Sequence, residues 1–227
     1  MKKAILSLMF MIVIMASVTA YADEISAYVS ITDSKGELVM AYEKLAVSDA
    51  DGDGSITIND ALITAHEQKH PQGSAAFKSE QTEYGVSLVK LWNEENGGSF
   101  GYYLNHASAW SLLDNIKDED HIKAYAFTDL EMWSDTYSYF SADCMTVKAG
   151  EAFEISLIAS AYDANWNPVS LPVADAVIAI NGAASESVTN AEGSATLAID
   201  KAGTYVISAA SETMTLVTPV CIVTVEE

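Results

Sequence analysis

Short runs of alternating apolar and polar residues recur along most of the chain, and they limit it to folds dominated by β-strands. Between residues 144 and 226 these runs are CMTVK, AFEISLIASAY, ADAVIAI, SATLAI, GTYVISAA and VCIVTV. Turn-forming residues, among them Gly150, Asn181-Gly182 and Gly203, separate them. Short alternating strands with regular turn signals are typical of an antiparallel sandwich. The sequence therefore predicts an Ig-like β-sandwich over residues 141–227.

The N-terminal part of the chain combines strands with one helix. The runs ISAYVSI and ELVMAYEKLAV, with turn residues between them, predict a hairpin. The segment DALITAHEQKH has helical spacing, with Ala61, Leu62 and Ala65 on one side, and Pro71 ends it. Three strand-like runs follow, YGVSLVKLW, FGYYLN and HIKAYAF. A hairpin, a helix and further strands are the element order of a β-grasp domain, so we expect a mainly β (α+β) chain with a β-grasp-like domain at residues 23–140.

The segment DADGDGSITIND, residues 49–60, has the residue order of an EF-hand-type calcium loop. The predicted ligands all offer oxygen: Asp49, Asp51 and Asp53, the backbone carbonyl of Ser55, then Thr57, directly or through water, and Asp60 at the last position. Gly54 stands where the chain of such a loop turns sharply. Ca²⁺ prefers several oxygen ligands, so four carboxylates at this spacing predict a calcium site. The alternative is an acidic turn that contains glycine.

Two features distinguish this loop from a calcium-sensor loop. Asp60 stands where a sensor has glutamate, and a strand-like run precedes the loop in place of a helix. In both respects residues 49–70 resemble a dockerin repeat. Dockerins bind cohesins through two such repeats, and residues 163–167 begin a second copy without its glycine or closing acid. The resemblance therefore implies calcium binding without cohesin binding.

The sequence HEQKH at residues 66–70 spells the H-E-x-x-H signature of zinc proteases. On a helix His66 and His70 lie one turn apart and can share a zinc ion, with Glu67 as general base. A zinc-dependent hydrolase is therefore an alternative function. The longer metzincin form of the motif is not present, because Ala76 stands where its third histidine would be. The other interpretation is a solvated helix end, where histidines interact favourably with the C-terminal end of the helix dipole.

Aromatic residues concentrate between residues 92 and 110. Trp92, Tyr102, Tyr103 and Trp110 are candidates for a surface that stacks on a flat ligand such as a sugar or a corrin. Packing of a strand on both faces, which also favours aromatic residues, is the other explanation.

Residues 84–127 carry a second resemblance. The run YYLN at residues 102–105, Trp110, and the acids DED before Ile122 resemble the closing half of the transcobalamin-like C-terminal β-grasp domain of secreted bacterial proteins. In transcobalamins this domain covers one side of a corrin, together with a helical domain that has no counterpart here. The resemblance implies a β-grasp fold and, as an alternative function, an extracellular carrier of a small flat ligand. The C-terminal region resembles the sandwich modules of bacterial surface proteins, which serve as spacers or in adhesion.

The first residues and the charge balance predict an exported protein. Residues 1–22 combine two lysines, an apolar run and the sequence AYA, which is the pattern of a cleaved signal peptide. The chain has 32 acidic residues against 11 basic ones, and no arginine. Such a balance repels phosphate backbones and anionic membranes, so we expect no nucleic-acid partner and no membrane insertion after cleavage. Cys144 and Cys221 form a disulfide in one interpretation and stay as buried thiols in the other.

Together these patterns predict a secreted or cell-surface protein that is not an enzyme. We expect Ca²⁺ to have a structural role and the partner to be a cell-surface protein, a glycan or a small-molecule ligand.

Overall fold

The computed structural model describes residues 24–227, so the predicted signal peptide at residues 1–22 lies outside the described residues. The strands are β1 (Glu24–Thr32), β2 (Leu38–Ser48), β3 (Lys78–Thr82), β4 (Gly85–Lys90), β5 (Phe100–Leu104), β6 (Ala107–Ser108), β7 (His121–Ala126), β8 (Thr136–Phe140), β9 (Cys144–Lys148), β10 (Ala152–Tyr162), β11 (Pro168–Pro172), β12 (Val177–Ile180), β13 (Ala183–Val188), β14 (Ser194–Ala198), β15 (Gly203–Ala210), β16 (Leu216–Val217) and β17 (Cys221–Glu226). One α-helix, α1 (Ile58–Lys69), and two 3-10 helices, Gly73–Ala76 and Asn96–Gly98, complete the elements. Within this part of the chain, no helix is long and apolar enough to cross a membrane.

Residues 24–126, here called the N-terminal unit, form a five-stranded sheet with the order β2-β1-β7-β5-β6. β1 pairs antiparallel with β2 and parallel with β7, and β5 pairs antiparallel with β7. The helix α1 packs against β2 and β1. Ala61, Leu62 and Ala65 on the helix are fully buried, as the helical spacing predicted, and join a core that includes Val29 and Ile122. The predicted hairpin, helix and following strands are confirmed.

Residues 136–226, here called the C-terminal sandwich, form two sheets. One contains β11, β10, β8 and β16, with β14 also paired to β10, and the other has the order β13-β12-β15-β17-β9. Buried apolar residues of both sheets, such as Leu157, Ile178 and Val223, form one core between them. This arrangement confirms the predicted mainly β class and the predicted β-sandwich.

The strand β8 lies in the C-terminal sandwich, although the predicted division between the two domains falls after it, at residue 140. Its Tyr139 and Phe140 pair with Ile158 and Leu157 of β10, and the strand also pairs with β16. Residues 136–140 therefore belong to a sheet of the C-terminal sandwich, although they lie within the predicted β-grasp-like range of 23–140.

The two halves meet through a cluster of aromatic side chains. The rings of Tyr103 and Tyr137 stack at 3.5 Å between centroids and 5° between planes. Tyr125 and Val217 are buried beside them. The buried amine of Lys123 donates a hydrogen bond to the backbone carbonyl of Thr218. These contacts hold β5 and β7 of the N-terminal unit against β8 and β16 of the sandwich.

The predicted disulfide is not formed, because both Cys144 and Cys221 are free thiols. The parallel pairing of β9 with β17 places Cys144 opposite Ile222, so Cys221 lies one residue out of register. Successive side chains of a strand point to opposite faces. Accordingly, the Cys144 side chain is exposed whereas the Cys221 side chain is fully buried in the sandwich core.

Gly101 of β5 allows the ring of Tyr125 to pack at the interface. A Cβ atom at Gly101 would lie 2.3 Å from the Tyr125 ring, which is closer than van der Waals contact permits. Gly101→Ala should therefore lower the free energy of unfolding by about 1–3 kcal/mol, as overpacking does. Urea unfolding monitored by circular dichroism measures this change.

The matched background for this prediction is Tyr125→Ala, which removes the ring. In the Tyr125→Ala background, adding Gly101→Ala should then change the free energy of unfolding only slightly. If Gly101→Ala lowered the free energy of unfolding equally in both backgrounds, the Tyr125 ring would not be the reason for glycine at this position.

Candidate functional site

The acidic loop at residues 49–60, which is predicted to bind calcium and is here called the calcium loop, folds around its own carboxylates. The two carboxylate oxygens of Asp49 accept hydrogen bonds from the backbone N–H groups of Gly52, Asp53 and Gly54 at 2.8–3.1 Å. Gly54 has φ of +93°, a conformation that side chains with a Cβ rarely adopt. The sharp turn predicted at this glycine is therefore present.

Three of the predicted ligands converge in this loop. Carboxylate oxygens of Asp49, Asp51 and Asp53 lie within 4.8 Å of one another. Asp51 also accepts a hydrogen bond from the Asn59 amide at 2.8 Å, and Asp53 accepts one from the Ser55 N–H at 2.8 Å. Among residues 24–227, no ion pair includes any of these three carboxylates. The loop thus brings three negative charges together without a cationic side chain.

Asp60 and Thr57, the other predicted side-chain ligands, cap the start of α1. Asp60 is fully buried, and its carboxylate accepts hydrogen bonds from the N–H groups of Ala50, Asp51 and Thr57 and from the Thr57 hydroxyl at 2.7–3.2 Å. Four donors therefore occupy the Asp60 oxygens, and Asp60 is not part of the converging group of three. This arrangement is a capping box, in which the N-cap residue and the third helical residue satisfy each other's backbone donors.

The loop is fixed to the remainder of the N-terminal unit at the start of α1. The N–H groups of Ile58 and Asn59 donate to the carbonyls of Asp114 and Leu112 at 3.1 and 2.9 Å. The Ile116 N–H donates to the carbonyl of Ile56 at 3.0 Å. The conformation of the loop is therefore linked to the packing of residues 112–116, which follow the aromatic segment in sequence.

The H-E-x-x-H motif does not form a metal site. His66 is fully buried; its Nδ1 lies 2.6 Å from the Leu62 carbonyl, and its Nε2 accepts a hydrogen bond from the Trp92 N–H at 2.9 Å. Both ring nitrogens are therefore engaged and no lone pair remains for zinc. Burial lowers the pKa of His66 to about 4, so the imidazole is neutral at physiological pH. The geometry gives no support to the zinc-hydrolase alternative.

The four predicted ligand-stacking residues do not share one surface. Trp92 packs on the rings of His66 and His70, at 5.3 and 4.9 Å between centroids. Tyr102 and Tyr103 are neighbours on β5 and point to opposite faces of the sheet, so Tyr102 packs against the N-terminal core whereas Tyr103 faces the sandwich. Only Tyr103 and Trp110 of the four line the aromatic cleft described next.

An aromatic cleft lies between the N-terminal unit and the C-terminal sandwich. Its volume is about 550 Å³, and its aromatic lining consists of Tyr103, Trp110, Tyr139, Tyr162 and Trp166. Trp110 and Trp166 are 96% and 82% exposed, respectively. The three aromatic residues of the sandwich are remote in sequence from the aromatic segment, so no local pattern groups them with it. The alternating run TYSYF of β8 is the sequence signal for Tyr139.

At the edge of this cleft, a cluster of two histidines and one aspartate joins the two halves. His106 lies in the turn between β5 and β6, His121 begins β7, and Asp143 directly precedes β9. Nε2 of His106 and Nδ1 of His121 each lie 3.2 Å from the same oxygen, Oδ1 of Asp143. No sequence pattern groups these residues, because Asp143 reaches the histidines only where the two halves meet.

The electrostatics of this cluster follow from its burial. Burial lowers the pKa of His121 and outweighs the opposing effect of Asp143. Burial tends to raise the pKa of Asp143, but its interactions with His106 and His121 hold it well below its ordinary value. Burial also lowers the pKa of Lys123 to about 7, against the attraction of Asp143.

Comparisons with known proteins do not assign this chain to a family. No family model matches it, and no curated protein matches it. Among solved structures it is similar to the four N-terminal Ig domains of Dscam1 in isoforms 9.44, 6.9 and 4.44, with 12%, 11% and 10% sequence identity and TM-scores of 0.26, 0.25 and 0.26. The alignments cover 66%, 66% and 90% of this chain and 32%, 32% and 46% of the Dscam1 chains. The chain thus spans less than half of those structures, and TM-scores this low carry no conclusion about fold or function.

The buried neutral state of His66 makes stability depend on pH. The ordinary histidine pKa is 6.5 and the folded value is about 4, so the unfolded chain binds more protons between these values. The stability that neutral His66 contributes is therefore fully present above pH 6.5 and is lost as the pH falls towards 4. At about 1.4 kcal/mol per pH unit, it should fall by about 2 kcal/mol between roughly pH 7 and pH 5.

Urea unfolding at both pH values measures this loss, and His66→Gln is the control. Glutamine keeps a donor for the Leu62 carbonyl and an acceptor for the Trp92 N–H, but it does not titrate. The variant should therefore lose about 2 kcal/mol less than the natural protein over the same range. Parallel losses in both proteins would contradict the assignment of this pH dependence to His66.

Proposed function

We propose that this protein is a secreted, non-catalytic binding module in which a structural Ca²⁺ ion holds the calcium loop. The observation that carries the proposal is the convergence of Asp49, Asp51 and Asp53 within 4.8 Å without a cationic side chain. Like charges at this separation repel one another, and a divalent cation between them replaces repulsion with attraction.

The chemistry of the donors fits Ca²⁺. Carboxylate oxygens are hard ligands, and the ion accepts six to eight oxygens in flexible geometry. The three aspartates would supply the charged ligands, and the Ser55 carbonyl is the further protein oxygen expected from the loop pattern. The buried amide oxygen of Asn59 has no hydrogen-bond partner, and its amide nitrogen contacts Asp51. An oxygen without a donor next to the carboxylates supports a cation at this place.

The consequence of calcium binding would be structural. The loop leads directly into α1, whose buried face contributes Leu62 and Ala65 to the N-terminal core. Ordering the loop would therefore favour the correct start of the helix. An ion present at 1,000 times its dissociation constant contributes roughly 4 kcal/mol to folding, a large part of the usual stability of a domain.

Calcium should raise the melting temperature of the metal-stripped protein by about 8–16 °C at saturating concentration, given the usual relation between stability and melting temperature. Asp53→Asn should abolish most of this increase, because it removes one charge while its side-chain oxygen still accepts the Ser55 N–H. Differential scanning calorimetry with and without Ca²⁺ measures both values.

Asp163→Asn is the matched control for this experiment. Asp163 also fixes an exposed turn, by accepting hydrogen bonds from the N–H groups of Asn165 and Asn167 at 2.8 and 2.9 Å. It has no neighbouring carboxylates of the kind found in the calcium loop, so its variant should keep the full response to calcium. A melting temperature that does not change when Ca²⁺ is added, or an increase that persists in Asp53→Asn, would refute the calcium site.

The fold supports a β-grasp-like assignment for the N-terminal unit. β1 and β7 pair parallel inside the sheet, their antiparallel partners β2 and β5 lie on either side, and one helix packs against β1 and β2. We place the boundary in residues 127–135, because β8 pairs within the sandwich. The second domain would then be an Ig-like sandwich. Cleavage of residues 1–22 and export to the cell exterior belong to the same proposal, and rest on the sequence pattern.

The aromatic cleft favours a second candidate function, the carriage of a small flat ligand such as a sugar. Its volume of about 550 Å³ is within the range of small-molecule sites. Trp110 and Trp166 expose large apolar surfaces there, from opposite halves of the molecule. Exposed aromatic faces at a concave site are typical of ligand recognition.

Binding of such a ligand should quench tryptophan fluorescence, and Trp166→Ala should weaken binding by roughly tenfold or more, since aromatic anchors often contribute more than 1 kcal/mol. A titration with a panel of mono- and oligosaccharides and corrins measures quenching and affinity.

Trp133→Ala is the control, because Trp133 is also exposed, at 65%, but does not line the cleft. It should leave the affinity unchanged. Equal weakening by both variants, or no quenching with any ligand of the panel, would remove the carrier function.

A further inference from the structure

The cluster of His106, His121 and Asp143 has the arrangement of a metal site. One ligand atom of each residue lies within 4.8 Å of the other two, and the two histidine nitrogens are each 3.2 Å from Asp143 Oδ1. Tetrahedral zinc has bonds of about 2.0–2.2 Å to nitrogen and oxygen, which places neighbouring ligand atoms about 3.3 Å apart. The observed separations therefore leave room for one ion among the three groups.

The outer nitrogens of both histidines are held by hydroxyl groups. Nε2 of His121 lies 2.9 Å from the Ser30 hydroxyl, and Nδ1 of His106 lies 2.9 Å from the Tyr137 hydroxyl. Histidines that bind metals usually donate their other N–H to such a partner, which fixes the tautomer and directs the free lone pair to the ion. The Ser30 oxygen also accepts the Tyr42 N–H at 3.0 Å, so its position is itself fixed.

Hydrogen bonding alone does not account for the inner atoms of the cluster. His121 is only 4% exposed, and its Nδ1 has no hydrogen-bond partner although it faces Asp143 Oδ1 at 3.2 Å. The two atoms are close, yet they do not form a hydrogen bond. A buried polar atom without a partner is costly, and it is explained when a cation fills the space that it faces.

From this geometry we propose that His106, His121 and Asp143 bind Zn²⁺ and thereby join the N-terminal unit to the C-terminal sandwich. Two imidazoles and one carboxylate suit zinc, whereas the all-oxygen calcium loop suits calcium. Three protein ligands leave a fourth tetrahedral position for water. The site is independent of the calcium loop, because it shares no residue with it.

Zinc at this position would also hold the aromatic cleft in shape. The ring of His106 stacks on that of Tyr139 at 4.3 Å between centroids and 12° between planes, and both residues line the cleft. Since His106 and Tyr139 come from different halves, a shared ion would fix the distance between the two walls of the cleft. The metal would therefore act as a positioning element for whatever the cleft binds.

The test is isothermal titration of the metal-stripped, full-length protein with Zn²⁺, in the presence of saturating Ca²⁺. We expect one zinc ion per chain, and Asp143→Asn and His106→Gln should each weaken its binding by about 100-fold or more. Tyr137→Phe, which removes only the hydroxyl that holds His106, should weaken it by about 10–100-fold. Co²⁺ in place of Zn²⁺ should give the visible absorption of a tetrahedral nitrogen-oxygen site.

Two control variants separate this site from the other metal motifs. His70→Ala alters the H-E-x-x-H motif, and Asp53→Asn alters the calcium loop; both should bind zinc as the natural protein does. Circular dichroism confirms that each variant is folded. Failure to bind zinc, zinc binding that survives Asp143→Asn and His106→Gln, or zinc binding lost in His70→Ala would overturn the proposal, whatever the outcome for calcium.

Discussion

The aromatic cleft and the histidine cluster both depend on the packing of β5 and β7 against β8 and β16. The Tyr103–Tyr137 stack and the hydrogen bond from Lys123 to Thr218 cross between the two halves there. Burying a lysine is costly unless its donors are satisfied, so the Thr218 carbonyl strongly limits how the halves fit together. The aromatic cleft and the His106, His121 and Asp143 cluster both take residues from each side of this contact. Neither would exist in an isolated half.

The acidic side chains of this protein have several different structural roles. Asp60 is buried and accepts four hydrogen bonds at the start of α1, whereas Asp163 fixes an exposed turn. Asp143 lies between two histidines. The calcium loop is the exception, because its three converging carboxylates contact only backbone and amide donors. A hard cation is the natural partner for that group, and a nitrogen-binding cation is the natural partner for the histidine cluster.

Sequence patterns predicted the elements whose side chains alternate between core and solvent. The hairpin of β1 and β2, the helix with Leu62 on its buried face, and most strands of the sandwich are of this kind. The missed strands include β11 and β13, which lie at sheet edges and have polar or proline-containing sequences. An edge strand buries little, so its sequence carries a weak periodic signal. The predicted disulfide failed for a related reason, since register decides which faces two neighbouring strands present.

For the candidate sites, local spacing was informative only where one segment supplies all the groups. The calcium loop is such a segment: its three aspartates converge, and Asp60 caps the helix that follows. The H-E-x-x-H motif is equally local, yet His66 is directed into the core by its packing against Phe77 and Trp92 and has no free nitrogen. His106, His121 and Asp143 form no motif in sequence, but the fold places both histidines beside one oxygen atom of Asp143. Whether a histidine motif can bind a metal therefore depends on which ring nitrogens stay unpaired after folding. Among residues 24–227, the buried side-chain nitrogen without a hydrogen-bond partner belongs to His121 and not to His66.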